Sequence, residues 1–123
     1  MRGWLLAISL GVSATSANAA DDPGAKLFKG HCGACHVIAA DGKNRQGPIL
    51  AGVLTRKAAT QPDFTKYSAG LKAAGWDWTP EQLDLWLTDP KKLVPDTTMS
   101  VYRQKDAAKR KLIIEHIKAN GGM

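Results

Sequence analysis

Apolar residues recur at helical spacing in several separate segments of the chain, and no stretch alternates apolar and polar residues long enough to predict a β-strand. Asp22 and Pro23 supply a capping residue and a first-turn proline for the earliest of these segments. The residues that would follow on this helix and reach its end are Ala25, Leu27, Phe28, His31 and Cys32. The pattern therefore predicts an all-α domain with long loops.

Three later segments also carry signals for helix ends. Residues 79–82 (TPEQ) have the spacing of a capping box with proline at the first helical position, and Asp106 is placed to cap a final helix. A shorter helix is predicted over residues 68–74, closed by Gly75, and Gly121 suits a left-handed turn after the final helix. The apolar residues that these helices would bury include Leu83, Trp86, Leu87, Ile113, Ile114 and Ile117.

Residues 1–19 have the pattern of a secretory signal. A basic second residue precedes a short apolar run over residues 4–12, and residues 17–19 (ANA) match the small-x-small pattern of a cleavage site. An uncleaved membrane anchor is the alternative, but a bilayer span needs about 20 apolar residues and this run is shorter. We therefore expect cleavage after Ala19, which leaves residues 20–123 as one domain.

Basic residues outnumber acidic ones, and the formal net charge is +6. Such an excess is compatible with an ordinary solvated surface, and it is also suited to an acidic partner. Nucleic acid is the weaker candidate, because export would remove the protein from it and the basic residues are scattered along the chain. The densest basic positions are Lys91 with Lys92, and residues 109–111 (KRK).

The motif CGACH at residues 32–36 carries the most specific chemistry in the sequence. Cys32 and Cys35 are separated by three positions and His36 follows directly, so all three side chains can lie on one face of a helical turn. In this arrangement both sulfurs can form thioethers with the vinyl groups of a haem while the imidazole binds its iron. The motif therefore predicts one covalently attached haem c with its iron.

Three other uses of the same two cysteines fit the sequence less well than haem attachment does. A structural zinc site needs four ligands, and His31 and His116 offer no second paired motif. A thioredoxin-like dithiol normally lies in a βαβ setting, which the sequence does not predict. A simple disulfide is chemically reasonable in an exported protein but leaves the adjacent His36 without a role. Haem attachment is the favoured hypothesis.

Met99 is the candidate for the second axial iron ligand. Met1 would leave with the signal and Met123 is the terminal residue, so Met99 is the remaining internal methionine. It ends a polar run, residues 90–99, which contains two prolines and is predicted to be a loop between helices. A stiff loop can hold a thioether against iron, so ligation is favoured over a role as an apolar filler of the core.

Together these motifs make the mature chain resemble a class I cytochrome c of the bacterial branch close to the mitochondrial carrier. Residues 47–50 (GPIL) match the Gly-Pro-x-Leu motif of that family. The resemblance implies a fold of three to five helices wrapped around one haem. It also implies that the Pro48 carbonyl accepts a hydrogen bond from the ligand histidine, and that Leu50 lies in the haem pocket.

Further positions match the family in register. The resemblance implies that Arg56, Tyr67 and Trp78 donate hydrogen bonds to the haem propionates, which would be costly to bury without donors. It also implies a contact between the first and last helices, made by Phe28 and residues 113–117.

Four positions depart from the family pattern. Asp96 replaces a glycine and Thr98 a lysine in the loop before Met99, and Asp96 is expected to tolerate a positive φ so that the turn survives. Trp86, also in the haem pocket, replaces a tyrosine near the methionine sulfur, and Leu71 replaces an asparagine. We expect both of these changes to remove hydrogen-bonding groups from the methionine side of the haem. A positive reduction potential, typical of His/Met ligation, is still expected.

The resemblance implies an electron carrier and not an enzyme, because six-coordinate iron leaves no site for a substrate. We expect a soluble periplasmic monomer that is peripheral to the membrane complexes of a respiratory chain and exchanges single electrons with redox proteins. Acidic docking surfaces on those proteins would contact Lys91 and Lys92. Two alternatives stay open: a haem subunit of a dehydrogenase or oxidase complex, and a five-coordinate peroxidase or gas-binding protein if Met99 dissociates.

Overall fold

Five helices make up most of the regular structure in a computed structural model, which describes residues 11–13 and 22–123. They are α1 (Pro23–His31), α2 (Ala69–Ala74), α3 (Pro80–Thr88), α4 (Pro90–Leu93) and α5 (Ala107–Ile117). A 3-10 turn (Val53–Thr55) and a π-helical turn (Lys118–Gly122) complete the set. Within the described residues, β pairing is limited to one isolated bridge between Lys57 and Asp77, so the all-α prediction is confirmed.

The helices begin where the sequence predicts, because polar side chains satisfy the free amides of each first turn. The Asp22 carboxylate accepts a hydrogen bond from the Gly24 amide at 2.9 Å, and the Thr79 hydroxyl accepts one from the Gln82 amide at 3.0 Å. Asp106 Oδ1 accepts from two amides of α5. These contacts confirm the predicted starts of α1, α3 and α5.

Helix α4 was not predicted, since the sequence indicated a loop from residue 90 to residue 99. Asp89 ends α3 and also caps α4, with its carboxylate accepting from the Lys92 amide at 3.3 Å. Pro90 follows at the first helical position, where its missing N–H costs nothing. One helical turn therefore precedes the loop that carries Met99.

Two glycines with positive φ end helical segments as the sequence predicts. Gly75 closes α2 with a φ of 70°, and Gly121 has a φ of 108° in the turn after α5. Both lie in the left-handed region that favours glycine. The second turn brings the Gly121 carbonyl to 2.7 Å from the Gly52 amide, which fastens the end of the chain to the loop before the 3-10 turn.

The core is centred on the contact between α1 and α5, as the resemblance implied. Phe28 from α1 and Ile113 and Ile117 from α5 are buried there. Gly24 lets the two backbones approach closely, because a Cβ at this position would lie 2.7 Å from the Leu112 carbonyl oxygen. Helix α3 packs against α5, with Leu83 and Leu87 buried in the same core. The packing of α1, α3 and α5 together holds the end of α1 in place.

Arg110 on α5 links helices α3 and α5 to the segment that follows Met99. Its Nε lies 2.7 Å from the Asp84 carboxylate on α3, and its Nη1 donates to the Gln104 and Lys105 carbonyls. A guanidinium has enough N–H groups to make all of these bonds at once. The residues after Met99 are thereby anchored to two helices.

No helix in the described ranges has the length and apolar character needed to cross a membrane.

Candidate functional site

The CGACH motif forms the turn that ends α1. Cys32 is the C-cap of the helix, and its carbonyl accepts hydrogen bonds from the Cys35 amide at 3.1 Å and the His36 amide at 2.9 Å. These two hydrogen bonds close the turn and hold Cys35 and His36 close to Cys32. The structure places the Cys32 side chain in the core and that of Cys35 at the surface, both as free thiols.

The two cysteine side chains of the motif have different surroundings. Burial raises the pKa of the Cys32 thiol to about 11, and the nearby Cys35 adds to the effect. Cys35 itself is exposed. Among the described residues, no group of three or more His, Cys, Asp or Glu side chains is arranged to hold a metal ion.

His36 is held in one orientation by the Gly47–Pro48 turn. Its Nδ1 lies 2.8 Å from the Pro48 carbonyl oxygen, and because a carbonyl can only accept, Nδ1 carries the proton. The Gly47 amide donates to the Cys35 carbonyl at 2.9 Å, and a Cβ at Gly47 would collide with the imidazole ring. Burial lowers the pKa of His36, which favours the neutral ring. Nε2 is left unprotonated and able to bind a metal.

The Met99 sulfur accepts a hydrogen bond from the Trp86 indole. Trp86 Nε1 lies 3.3 Å from Met99 Sδ, and the Met99 amide donates to the Thr97 hydroxyl at 3.1 Å. The expectation that Trp86 removes a hydrogen-bonding group is therefore wrong, because the indole N–H is itself a donor. Leu71 is buried in the core.

Asp96 does not adopt the positive φ that was expected of it. Among the described residues other than glycine, positive φ occurs at Ala59 and Asp63. The turn before Met99 closes instead through a hydrogen bond from the Thr97 amide to the Val94 carbonyl at 3.0 Å. The Asp96 side chain is therefore not needed to close this turn, and its carboxylate accepts a hydrogen bond from the Gly70 amide.

Arg56 and Tyr67, two of the three predicted propionate donors, lie close enough together to affect each other's ionisation. Burial lowers the pKa of Arg56 and raises that of Tyr67. Arg56 donates to the carbonyls of Ile49 and Ala51 at 2.6 and 2.7 Å, so part of its guanidinium is engaged with the backbone. The Tyr67 hydroxyl accepts from the Gln61 amide at 3.2 Å, which leaves its own proton available to a ligand.

Three indoles form a cluster beside the Met99 sulfur. The ring centroids of Trp78 and Trp86 are 5.5 Å apart, and Trp76 lies 5.8 Å from Trp78 and 6.2 Å from Trp86. Sequence reasoning missed Trp76, although its spacing of two from Trp78 in an extended segment could have indicated that both face the same side.

Two buried polar atoms have no hydrogen-bond partner within the described part of the chain: Trp76 Nε1 and the Tyr102 hydroxyl. Trp76 belongs to the indole cluster, and because buried donors usually have an acceptor, its N–H fits a site that takes a group with acceptor atoms. Tyr102 lies elsewhere, beside His31 at a ring-centroid distance of 6.0 Å. The other predicted pocket residues pack around the same core. Leu50, Tyr67 and Met99 lie against the cluster that contains Cys32, Trp78 and Trp86. The donor set of two thiols, one imidazole and one thioether is the set that a haem c requires.

Lys91 and Lys92 lie exposed on α4, shortly before the Met99 loop. Two apolar side chains near them in sequence are also exposed: Leu93 at 39% and Val101 at 97%. Exposed basic and apolar side chains of this kind are suited to contact with another protein. A separate groove of about 620 Å³ between α3 and α5 contains none of the predicted site residues.

The comparisons with known proteins agree with this arrangement. The family model described as Cytochrome c matches residues 22–120. The cytochrome c-type cyt cy of Rhodobacter capsulatus is 45% identical over 94 residues, which are 76% of this chain and 46% of that protein. This chain therefore spans less than half of that relative.

Two further relatives match over more of their own length. The cytochrome c2 of Agrobacterium tumefaciens is 41% identical over 63% of this chain and 71% of its own length. The cytochrome c of Gibberella zeae is 36% identical over 77% of this chain and 89% of its own length. With the motif, the helical frame and these matches together, the chain belongs to the class I cytochrome c family, whose members hold one covalent haem c with its iron and carry electrons without acting as enzymes.

Proposed function

We propose that this cytochrome c is a soluble periplasmic monomer that shuttles single electrons between redox complexes, with His36 and Met99 as axial ligands to its iron. The observation that carries the proposal is that each of the two proposed ligand side chains is held by a hydrogen bond to another residue. The imidazole is fixed by the Pro48 carbonyl at 2.8 Å, and the thioether is fixed by the Trp86 indole at 3.3 Å. Each ligand atom thereby has a second residue that restricts its rotation.

The chain's own residues account for the remaining requirements of a carrier. Cys32 and Cys35 would hold the cofactor by thioether bonds, and a haem bound there would supply an iron centre capable of one-electron exchange. His36 and Met99 would both bind that iron and so would exclude a substrate from it. Arg56, Tyr67 and Trp78 would donate to the carboxylates of the cofactor, while Leu50 packs against the core that includes Cys32.

The test of this proposal is an optical spectrum of the exported, matured protein in its oxidised and reduced forms. We expect a c-type spectrum with a weak far-red band from the thioether–iron bond, and haem that stays with the polypeptide on a denaturing gel. The paired change Cys32→Ala with Cys35→Ala should release the haem. Absence of covalent haem from the native protein would overturn the assignment.

The export step has its own test. Residues 1–19 end in the small-x-small pattern ANA, and we propose cleavage after Ala19. N-terminal sequencing of protein from the periplasmic fraction should therefore begin at Ala20. A mature chain that retains the apolar run of residues 4–12 would instead indicate an anchored protein.

We propose that electron-transfer partners dock on the surface formed by Lys91, Lys92, Leu93 and Val101. The two lysines are exposed on α4, and an excess of positive charge on the chain would attract an acidic partner over distance. The exposed apolar residues would exclude water once contact is made. Attraction of this kind raises the association rate and weakens as salt screens it.

Reversal of both charges, Lys91→Glu with Lys92→Glu, should slow electron transfer to a purified terminal oxidase about tenfold at low ionic strength. The difference from the unmodified protein should shrink as salt is added. Stopped-flow measurement over a series of salt concentrations gives both quantities. The matched control is Lys109→Glu with Lys111→Glu on α5, which makes the same change in net charge on another helix. Equal slowing by both pairs would mean that docking does not use α4.

A further inference from the structure

Two residues that depart from the family pattern both contact one segment of the chain. Asp96 and Thr98 lie in the Met99 loop, which comprises residues 94–99. Asp96 Oδ2 accepts a hydrogen bond from the Gly70 amide at 3.0 Å, and Thr98 Oγ1 donates to the Lys66 carbonyl at 3.4 Å. The side chains at both positions where the sequence is unusual therefore join the loop to residues 66–70, the segment that leads into α2.

We propose that Asp96 and Thr98 form a latch that holds the Met99 loop against the start of α2 and slows the departure of Met99 from the iron. The latch rests on the proposed His36/Met99 ligation. Both are positioning residues, because each acts through the backbone that carries Met99 and does not touch the cofactor. The latch extends the proposed function by assigning the control of loop opening to two residues that differ from the family pattern.

The backbone at Gly70 is fitted to the loop. A Cβ at this position would collide with the Asp96 carboxylate and would lie 2.9 Å from Val94 Cγ1. Glycine therefore allows an approach that a Cβ would permit only if the Asp96 and Val94 side chains moved. Val94 itself is buried, so the loop is held at this point by apolar packing as well as by the hydrogen bond.

The Gly70 amide belongs to the first turn of α2, where helix amides have no partner within the helix. Ser68 Oγ accepts from the Leu71 amide at 3.1 Å, and Asp96 accepts from the Gly70 amide. A helix of six residues is too short to be stable alone. The start of α2 and the Met99 loop therefore stabilise each other, and the contact should be lost whenever the loop opens.

Loop opening in the ferric holoprotein can be measured with imidazole as an external ligand. Imidazole can bind the iron only after Met99 has left, so the binding rate at saturating imidazole reports the opening rate. We expect Asp96→Ala to raise this rate about fivefold, which corresponds to about 1 kcal/mol for one hydrogen bond to a charged group. Thr98→Val should have a smaller effect in the same direction, and Asp96→Asn, which keeps an acceptor oxygen, should retain most of the native rate.

Hydrogen exchange of the Gly70 amide gives an independent measurement. We expect Asp96→Ala to lower its protection by about the same fivefold factor, and to lower the free energy of global unfolding by at most the equivalent amount, because opening and unfolding both start from the native state in which the hydrogen bond is made. Asp41→Ala removes another exposed carboxylate and is the control, with native values of both quantities.

The outcomes separate the latch from the proposed function. An unchanged opening rate in Asp96→Ala overturns the latch, and so does unchanged protection of the Gly70 amide. If the native ferric protein has no far-red thioether band, the proposed ligation and the latch are both refuted. If that band is present while the Asp96 and Thr98 variants open at the native rate, the latch alone is refuted.

Discussion

Replacement of Met99 by alanine is expected to remove the far-red absorption band and to lower the reduction potential by a few tenths of a volt, within the range of roughly 0.8 V that axial ligands control. The thioether stabilises ferrous iron, so its loss favours the ferric form. An open coordination position should also let carbon monoxide bind the reduced protein readily. Cyclic voltammetry and spectra with and without carbon monoxide measure these effects.

Two further substitutions make the Met99 experiment specific. Met99→Leu keeps most of the side-chain volume while removing sulfur, so a similar loss of potential in both variants assigns the effect to ligation and not to packing. Met123→Ala changes an exposed terminal residue and should keep the native spectrum. A native potential and a native far-red band in Met99→Ala would remove Met99 from the ligand set and leave the electron-carrier proposal without its second axial group.

Replacement of Ile113 by alanine is expected to lower the free energy of unfolding by about 3 kcal/mol, because it leaves a cavity in the core. Ile113 is 0% exposed and lies in the contact of α5 with α1, the helix that ends at the CGACH motif. The small domain has few other core residues to compensate for the loss. Denaturation of the holoprotein by guanidinium chloride, followed by circular dichroism, measures the change.

The control for this experiment lies on a neighbouring helix. Leu85 on α3 is 56% exposed, so Leu85→Ala removes a side chain of equal volume with little loss of burial. We expect a change below about 0.5 kcal/mol for that variant and about 1 kcal/mol for Ile113→Val. If the Ile113 and Leu85 variants were equally stable, the contact between α1 and α5 would not be the centre of the fold.

Local signals in the sequence predicted most of the helices correctly. Asp22, Thr79 and Asp106 each act on amides two or three residues away, so the information needed is present in a short segment. The hydrogen bond between His36 and Pro48 is long-range, and it was predicted from the family resemblance instead. The Gly-Pro-x-Leu motif at residues 47–50 is recognised by its spacing from His36, and in the family the carbonyl of its proline accepts this hydrogen bond.

The sequence could not predict contacts that depend on which segments meet in the fold. Trp86 and Met99 are 13 residues apart, and Asp96 and Gly70 are 26 residues apart. Trp86 was expected to remove a donor because the comparison was made by residue type, whereas the geometry brings its indole N–H to the sulfur. Similarly, the sequence indicates Asp96 only as a substitute for glycine in a turn. Its hydrogen bond with the Gly70 amide depends on α2 lying beside the loop in the folded protein.

The grouping of Trp76, Trp78 and Trp86 also determines how the protein fluoresces. The remaining tryptophan of the four, Trp4, belongs to the proposed leader and would leave with it. All emission of the mature chain would then come from one place, beside the sulfur of Met99. A porphyrin bound within the same small domain would accept excitation energy from the indoles, so the folded holoprotein should be almost non-fluorescent. Growth of the signal during denaturation would then report directly on the separation of the indoles from the cofactor.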